Sequence, residues 1–426
     1  MPRHAGYFAG FADGLFAPRG DAGVGSLQIL LFNHRCTPPE KAGEWTRYAV
    51  RHAADSFLLR VTRNGTATTV ELPSHGRTAS IRLHLSGNQL RLPAPTASML
   101  DIRSPVGLLE LVLAGVDALE ELHLSRAEDL RTLDVTAPNL RVLRMDRCFR
   151  GELVLDEPTY KVACKVVALR LQLIGMRDSP LQKHHLDMGI HDLTSVRRPS
   201  DLYLDMHHGR CYHGTNAGVW LLEKCPRVEH VEVSLDQCNC DELVLLPEFA
   251  PEGAAPFASV TSLKVDTTTS FPDDQLVAGI SSLLLRCPRL TSLSIELLNI
   301  RRWCIRGDIE NHPKISLGSL EEVEISGFRG AREELDLVSM LFESSSTIKR
   351  MTLLTSSAKN IGSQSRNVTA LPSLKMMDEV DPLVDYEKLK SIPRNSAHGR
   401  WDIKEGVYTW TYYARTEVQA DGSIAN

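Results

Sequence analysis

Apolar residues recur along this chain in one frame: an apolar residue, two others, a second apolar residue, one other, and a third. Val228, Val231 and Val233 fill it, then Val260, Leu263 and Val265, then Leu290, Leu293 and Ile295. Further frames open at Leu320 and at Ile348 (with Met351 and Leu353), and Leu202 and Leu204 precede the set. Successive frames from Val228 start 32, 30, 30 and 28 residues apart, and Leu202 lies 29 residues before Val231. A fixed period in this range marks stacked supersecondary units. The last two apolar residues of each frame are two apart, so they share one face of a strand. Ahead of one strand runs a helical period, in which Leu276, Val277, Ile280, Leu283 and Leu284 recur at steps of three and four. Ser270 is placed to cap that helix, Asp273 to sit in its first turn, and Pro288 to follow its end. One phrase occurs twice, LLEKCPRVEHVEVSL from Leu221 and LLLRCPRLTSLSIEL from Leu283. A single helix–turn–strand unit cannot bury both of its apolar faces. The expected fold class is therefore α/β, a leucine-rich-repeat solenoid with a curved parallel sheet and helices on the convex side.

Earlier in the chain the pitch shortens. Frames at Leu108, Leu119, Leu130 and Leu140 stand only 10 or 11 residues apart, which leaves no room for a helix. Two such segments make one ordinary short repeat, so strands are expected on both faces, with Pro138-Asn139 as a turn. A meander of antiparallel hairpins is the alternative. Upstream, residues 6–16 read as an amphipathic helix and residues 45–54 as another. Leu27, Ile29 and Leu31, then Phe57, Leu59 and Val61, then Ile81, Leu83 and Leu85, read as strands. Downstream, Val166, Leu169 and Leu171 make a frame, residues 176–199 read as an irregular loop, and residues 359–367 as a polar loop. Over 401–414 apolar, mostly aromatic residues alternate with polar ones, Val407, Trp410 and Tyr412 among them, which predicts a terminal hairpin or strand that caps the stack. The expected domains are a capping region at 1–76, repeats at 77–309, a distinct unit at 310–356 and a closing segment at 357–426.

Composition narrows the possibilities. A net charge of −5 gives no general case for nucleic-acid binding. No apolar run is long enough to span a membrane as a helix, and the first residues lack a secretory apolar core. Nine scattered cysteines point to a reducing, intracellular compartment, cytoplasmic or nuclear. Cys225 and Cys287 fall at equivalent repeat positions, where a small buried thiol fits between turn and strand. His207-His208-Gly209-Arg210-Cys211-Tyr212-His213 is the densest set of potential metal ligands, but its spacing fits no closed zinc site, and Cys238-Asn239-Cys240 is isolated. Both are expected to be loops. No nucleotide-binding or hydrolase motif is present, so no catalytic residue, cofactor or metal is expected.

The polar positions of the strands carry more. If the second and third apolar residues of each frame point inward, their neighbours face the concave side. Those neighbours include Asp201, Tyr203, Asp205, His230, Glu232, Lys264, Asp266, Glu296, Glu322 and Glu324. Acidic side chains on adjacent strands repel one another unless a partner gains from them. The expectation is a face that binds a protein partner with a basic segment.

Residues 316–354, SLGSLEEVEISGFRGAREELDLVSMLFESSSTIKRMTLL, resemble the FBD domain of plant F-box/leucine-rich-repeat proteins. Gly327, Phe328, Gly330, Glu334, Leu335, Ile348, Met351 and Leu353 carry the match. The Cys-Pro repeats, the APNLRVL stretch and the segments GYFAGFADGLF, SLQILLF and WTRYAVRHA are similar to other parts of the same family. The resemblance implies a leucine-rich-repeat surface that recruits a target protein to a cullin-type ubiquitin ligase. It also implies an F-box that binds the Skp-type adaptor, and no stretch here matches one. The chain is thus expected either to derive from a longer F-box protein or to be a repeat scaffold without a ubiquitin role.

Overall fold

The computed structural model describes residues 24–31, 39–61, 69–71, 78–85, 89–91, 97–149, 163–177, 188–191, 193–200, 202–205, 217–236, 255–267, 275–297, 315–355, 389, 392, 399–404 and 407–412. The helix expected at 6–16, the loop expected at 359–367, and the capping residues Ser270 and Asp273 lie outside them. Contacts gather the chain into two compact units. One comprises residues 1–202 with 213–225, the other residues 203–212 with 226–426.

The first unit opens with β1 (Val24–Leu31), α1 (Pro39–His52) and β2 (Ala53–Val61). The helix is longer at its start than the expected 45–54, because proline at a first helical position needs no amide hydrogen. It ends earlier too, since Ala53 and Ala54 already belong to β2. Trp45, Thr46, Ala49 and Val50 are buried along one stripe of the helix. The Thr78 hydroxyl donates to the carbonyls of Val50 and Ala53 at 3.0 and 2.8 Å, which satisfies acceptors at the helix end.

Short strands follow. They are β3 (Thr69–Glu71), β4 (Ser80–His84), β5 (Gln89–Arg91), β6 (Met99–Arg103), β7 (Glu110–Ala114), β8 (Glu121–Ser125), β9 (Thr132–Thr136) and β10 (Val142–Asp146). After them come β11 (Ala163–Val167), β12 (Leu173–Arg177), β13 (Met188–His191), a 3-10 turn at Leu193–Ser195 and β14 (Arg198–Ser200). From β6 onward the strands alternate between two parallel sheets. One is ordered β1-β2-β4-β6-β8-β10-β12-β14, the other β13-β11-β9-β7. Parallel pairing rules out the antiparallel meander and agrees with strands on both faces. Inward residues of both sheets are buried, among them Leu100, Ile102, Leu122 and Leu124 from one and Leu111, Leu113, Leu133 and Val135 from the other.

The change of direction between sheets is made by single residues. Ser104, Arg126 and Arg147 follow β6, β8 and β10 and have φ of 53°, 53° and 51°, in the left-handed region. The amide of Ser104 donates to the carbonyl of Ser125, and that of Arg126 to the carbonyl of Asp146, at 2.7 Å each, so these two turns are each tied to the end of the neighbouring strand.

Two expectations fail in this unit. Leu169 sits in a turn and is 60% exposed, so Val166, Leu169 and Leu171 are not one frame. The frame is Leu171, Ile174 and Met176, all buried, with the last two on β12. The stretch 176–199 is not one irregular loop, because it contains β13 and most of β14. Pro199 lies on β14, the terminal strand in the sheet order, where a missing amide hydrogen is tolerated.

β15 (Leu202–Asp205) and α2 (Ala217–Lys224) follow, then β16 (His230–Asp236), β17 (Ser262–Thr267), α3 (Gln275–Leu285), β18 (Ser292–Leu297), β19 (Glu322–Phe328), α4 (Arg332–Ser344) and β20 (Arg350–Thr355). The hairpin β21 (Gly399–Lys404) and β22 (Val407–Tyr412) closes the chain's described part. The second sheet runs β15-β16-β17-β18-β19-β20-β22-β21, parallel from β16 to β20 and antiparallel at β22 and β21. Its register is the one the frames predict. Val231, Leu263, Leu293, Val323 and Met351 form one inward row, and Val233, Val265, Ile295, Ile325 and Leu353 the next.

Each strand entry in this sheet repeats one device. The carbonyl of Glu229 accepts from the amides of Thr261 and Ser262, that of Thr261 from Thr291 and Ser292, that of Thr291 from Glu321 and Glu322, and that of Glu321 from Lys349 and Arg350. Arg286, after α3, is only 2% exposed. Its guanidinium donates to the Ala255 carbonyl at 3.0 and 2.7 Å and lies 3.9 Å from the centre of the Phe257 ring. It thereby fastens the turn of one repeat to the helix end of the next. At the far edge, Phe342 of α4 meets Trp401 and Trp410 edge-on, with ring centres 6.3 and 5.0 Å apart. Tyr408 and Trp410 are the buried side of β22, and Tyr412 is exposed.

Candidate protein-interaction face

Alternation along β16 to β20 sends the residues between the buried ones to the opposite face of the sheet. Three polar rows result. The first is His230, Ser262, Ser292, Glu322 and Arg350; the second Glu232, Lys264, Ser294, Glu324 and Thr352; the third starts Ser234, Asp266, Glu296 and Ser326. Seven of the ten expected site residues therefore gather with Arg350 in the same set of rows, namely His230, Glu232, Lys264, Asp266, Glu296, Glu322 and Glu324. His230 itself stands at the start of the first row and is exposed. Tyr203 and Asp205 lie on β15, the neighbour of β16 in sheet order. Asp201 lies outside the described residues, as do the His207–His213 and Cys238–Cys240 segments. Among the described residues, no group of three or more His, Cys, Asp or Glu could hold a metal ion.

Lys264 is the centre of the face. Its Nζ lies 3.1 Å from Oδ1 of Asp266, donates to Oδ2 at 3.2 Å, and stands 3.9 Å from Oε2 of Glu296. Partial burial pulls the Lys264 ammonium down, but the hydrogen bond to Asp266 and the fields of Asp266, Glu296 and Glu232 outweigh it, and its pKa is raised. Burial pushes the Asp266 carboxyl up; Lys264 pulls it back, and Glu296 and Glu232 push it up again. The surrounding carboxylates push both partners up, and for Asp266 burial is the larger cause. Glu322 is not part of that surplus. Arg350 donates to it at 2.8 Å, a pairing that the sequence reading omitted because Arg350 lies one repeat further on.

The last two repeats carry a second construction. Gly327 has φ of 79°, and a Cβ there would lie 2.1 Å from the Leu297 carbonyl oxygen. The β19–β20 register shifts between Ser326 and Phe328, and Phe328 turns fully inward. Gly330, with φ of 76°, leads into α4. The helix's N-cap is Ala331, which has no side-chain acceptor. Glu334 supplies one instead. Its Oε2 accepts from the amides of Arg329, Gly330 and Ala331 at 2.7, 2.8 and 3.2 Å. Glu334 is 1% exposed. Burial pushes its pKa up, against the three amides and Arg329, which pull it down.

The thiols of Cys148, Cys164, Cys225 and Cys287 are buried and unbonded to one another. Burial pushes each to a pKa of about 12, which leaves them unreactive as nucleophiles.

The sequence reading missed one further set of residues. On the first unit, Arg60, Arg82, His84 and Arg103 occupy outward positions of three neighbouring strands. The signal was present in the alternation Ile81-Arg82-Leu83-His84, and it needed strand pairing to be read.

No curated protein matches the chain at a significant level. Residues 310–353 match the FBD family, and Gly327, Phe328, Gly330 and Glu334, whose geometry is given above, all fall inside that match. The segment at 310–353 is therefore an FBD domain, whose described part comprises β19, α4 and the first strand residues of β20.

Proposed function

We propose that this chain is an intracellular protein-recognition module. In this reading it is a leucine-rich-repeat solenoid whose outward strand face holds a partner protein through a basic segment, and it acts without a cofactor and is not an enzyme. It resembles the substrate-binding part of an F-box protein in a ubiquitin ligase. The observation that carries the reading is the FBD match, a domain associated with F-box proteins. The in-register parallel strands at a pitch near 30 residues support the solenoid, and the carboxylates around Lys264 support a basic partner segment. The net charge of −5 supports a protein partner over nucleic acid. Among the described residues no helix is long and apolar enough to cross a membrane. A second reading is a repeat scaffold with no ubiquitin role, in which the same outward face holds the partner.

Two measurements test these readings. Co-purification of the full chain with a Skp-type adaptor supports the ligase reading, and its failure favours the scaffold. For the face, a lysine- and arginine-rich peptide is titrated against the wild type and against a Glu232→Lys, Asp266→Lys, Glu296→Lys variant. Wild-type binding that weakens with salt and disappears in the variant is expected. Equal binding by both proteins, with equal salt dependence, removes the acidic face from the proposal.

A further inference from the structure

The first unit presents a face of opposite character. Arg60 on β2, His84 on β4 and Arg103 on β6 are consecutive partners across the sheet. Arg82 stands two residues before His84, beside Asp101 of β6. Three guanidinium groups thus surround one imidazole. Parallel strands are about 4.8 Å apart, so Arg60 and Arg103 stand about 10 Å apart at the backbone, with His84 between them. Arg60, Arg82 and Arg103 are all exposed.

Two carboxylates act on Arg103, and among the described residues none forms an ion pair with Arg60 or Arg82. Asp101, 1% exposed, is taken by Arg103, and Asp146 adds its field there. Arg103 Nε stands 3.0 and 3.1 Å from the two carboxylate oxygens, and Nη2 donates to Oδ2 at 2.8 Å. That pairing raises the pKa of Arg103 and fixes its guanidinium. Among the described residues Arg82 makes no ion pair, and Arg60 donates from Nε to Nδ1 of His84 at 3.3 Å. An imidazole that accepts at Nδ1 carries its proton on Nε2, which leaves Nε2–H as a further donor. Burial, then Arg103 and Arg60, lower the pKa of His84; Asp101 opposes them and Arg82 adds to them. On the next strand, His123 lies beside Asp101 and Ser125 beside Arg103, neither adding a fixed charge of either sign at neutral pH.

Like charges held this close cost stability in the empty protein, and that cost is recovered when an anion binds between them. Two uncompensated guanidiniums match the charge of a phosphate ester near pH 7, roughly −1.5 to −2. Planar guanidiniums also suit its oxygens in paired hydrogen bonds. No Phe, Tyr or Trp occupies an outward position of β2, β4, β6 or β8, so the face lacks the stacking surfaces used for single-stranded nucleic acid.

We propose that Arg60, Arg82, Arg103 and the Nε2–H of His84 form a binding site for a phosphate monoester, with Asp101 as the residue that positions Arg103. The site is separate from the acidic face of the second unit, and it stands if that face binds nothing.

The experiment uses the full chain with carbon-13-labelled histidine, the His84 resonance being identified by its loss in His84→Gln. Inorganic phosphate is added at constant ionic strength, and the His84 titration is followed by NMR. Binding is expected to move the His84 resonance and raise its titration midpoint, because the dianion offsets the arginine charges. Arg60→Gln with Arg82→Gln should weaken the effect about tenfold or more. Arg60→Lys with Arg82→Lys, which keeps the charge but loses the fork, should fall between. Phosphate that shifts His84 no more than chloride at equal ionic strength overturns the site, and so does an unchanged response in the double Gln variant. A phosphoserine peptide, free phosphoserine and the same peptide with glutamate then separate the sources. Tighter binding of the phosphopeptide assigns the ester to a protein partner, and equal binding of free phosphoserine assigns it to a small molecule. Equally tight binding of the glutamate peptide overturns the preference for phosphate.

Discussion

Single residues fix this fold where the backbone has no freedom to spare. At Gly327 a side chain meets the Leu297 carbonyl and an unfavourable φ together. Gly327→Ala should cost more than the roughly 1–2 kcal/mol that left-handed backbone alone imposes, measured by urea unfolding. Arg126, at φ of 53°, is the opposite case. There Arg126→Gly should be neutral or should stabilise by up to about 1 kcal/mol, although glycine in an ordinary strand or helix weakens it. Glu334 gives a pH signature. Its pKa in the folded chain lies above the ordinary value of 4.5, so the fold keeps a proton that the unfolded chain releases. Native stability contributed by this group is therefore highest below 4.5 and declines as pH rises through the raised value. Glu334→Gln keeps an oxygen for the three amides but removes that decline. The stability of the wild type relative to the variant should fall as pH rises from below 4.5 through the raised value, read from urea midpoints at each pH. Thiols offer a count: the chain has nine cysteines, and the four buried ones among the described residues should resist a thiol reagent in the native protein. Labelling of more than five without denaturant would contradict their burial.

At the scale of elements, the legible part of the sequence was the part in which side chains do the specifying. The frames in the second sheet fell into register because each contributes two inward residues, two apart, to a shared core. Leu293 is 1% exposed within such a row. Leu293→Ala should cost about 2–5 kcal/mol through the cavity it leaves, measured as a lowered urea midpoint with unchanged slope. Where backbone pairing specifies the element, the pattern is silent. β13 reads MGIH and β14 reads RPS, short terminal strands of their sheets, and neither has an alternation to find. Near Val166 the error had another cause. An apolar residue in a turn, Leu169, imitated the middle of a frame, and exposure cannot be read from residue type. The candidate face was half legible. Pitch placed Glu232, Lys264, Asp266 and Glu296 together, but only strand register shows that Glu322 is matched by Arg350 and that Lys264 is shared.

Over the whole molecule, two units of unequal pitch follow one rule of construction. A strand of about five residues needs a way back to its starting level. A return strand fits in about 11 residues, as in the first unit, whereas a helix needs nearer 20, as between β17 and β18 in the second. The chain's charge follows the same division. Arginines surround His84 in one unit, and carboxylates surround Lys264 in the other. A protein with a net charge of −5 can thus offer two oppositely charged faces, so its association with ligands is governed by local field rather than by the total.

The shared carbonyls at Glu229, Thr261, Thr291 and Glu321 set the terms on which such a chain can vary. Each one hands the same pair of hydrogen bonds to the next strand, wherever in the series it stands. A gene that gains or loses one residue inside β17 turns every later side chain of that strand over, core to water. A gene that gains or loses a whole 30-residue segment, from one such carbonyl to the next, presents the same acceptor to the same two amides. Lineages of this sequence should therefore differ in repeat number more readily than in strand length, and the faces can be rewritten residue by residue without disturbing the ladder behind them.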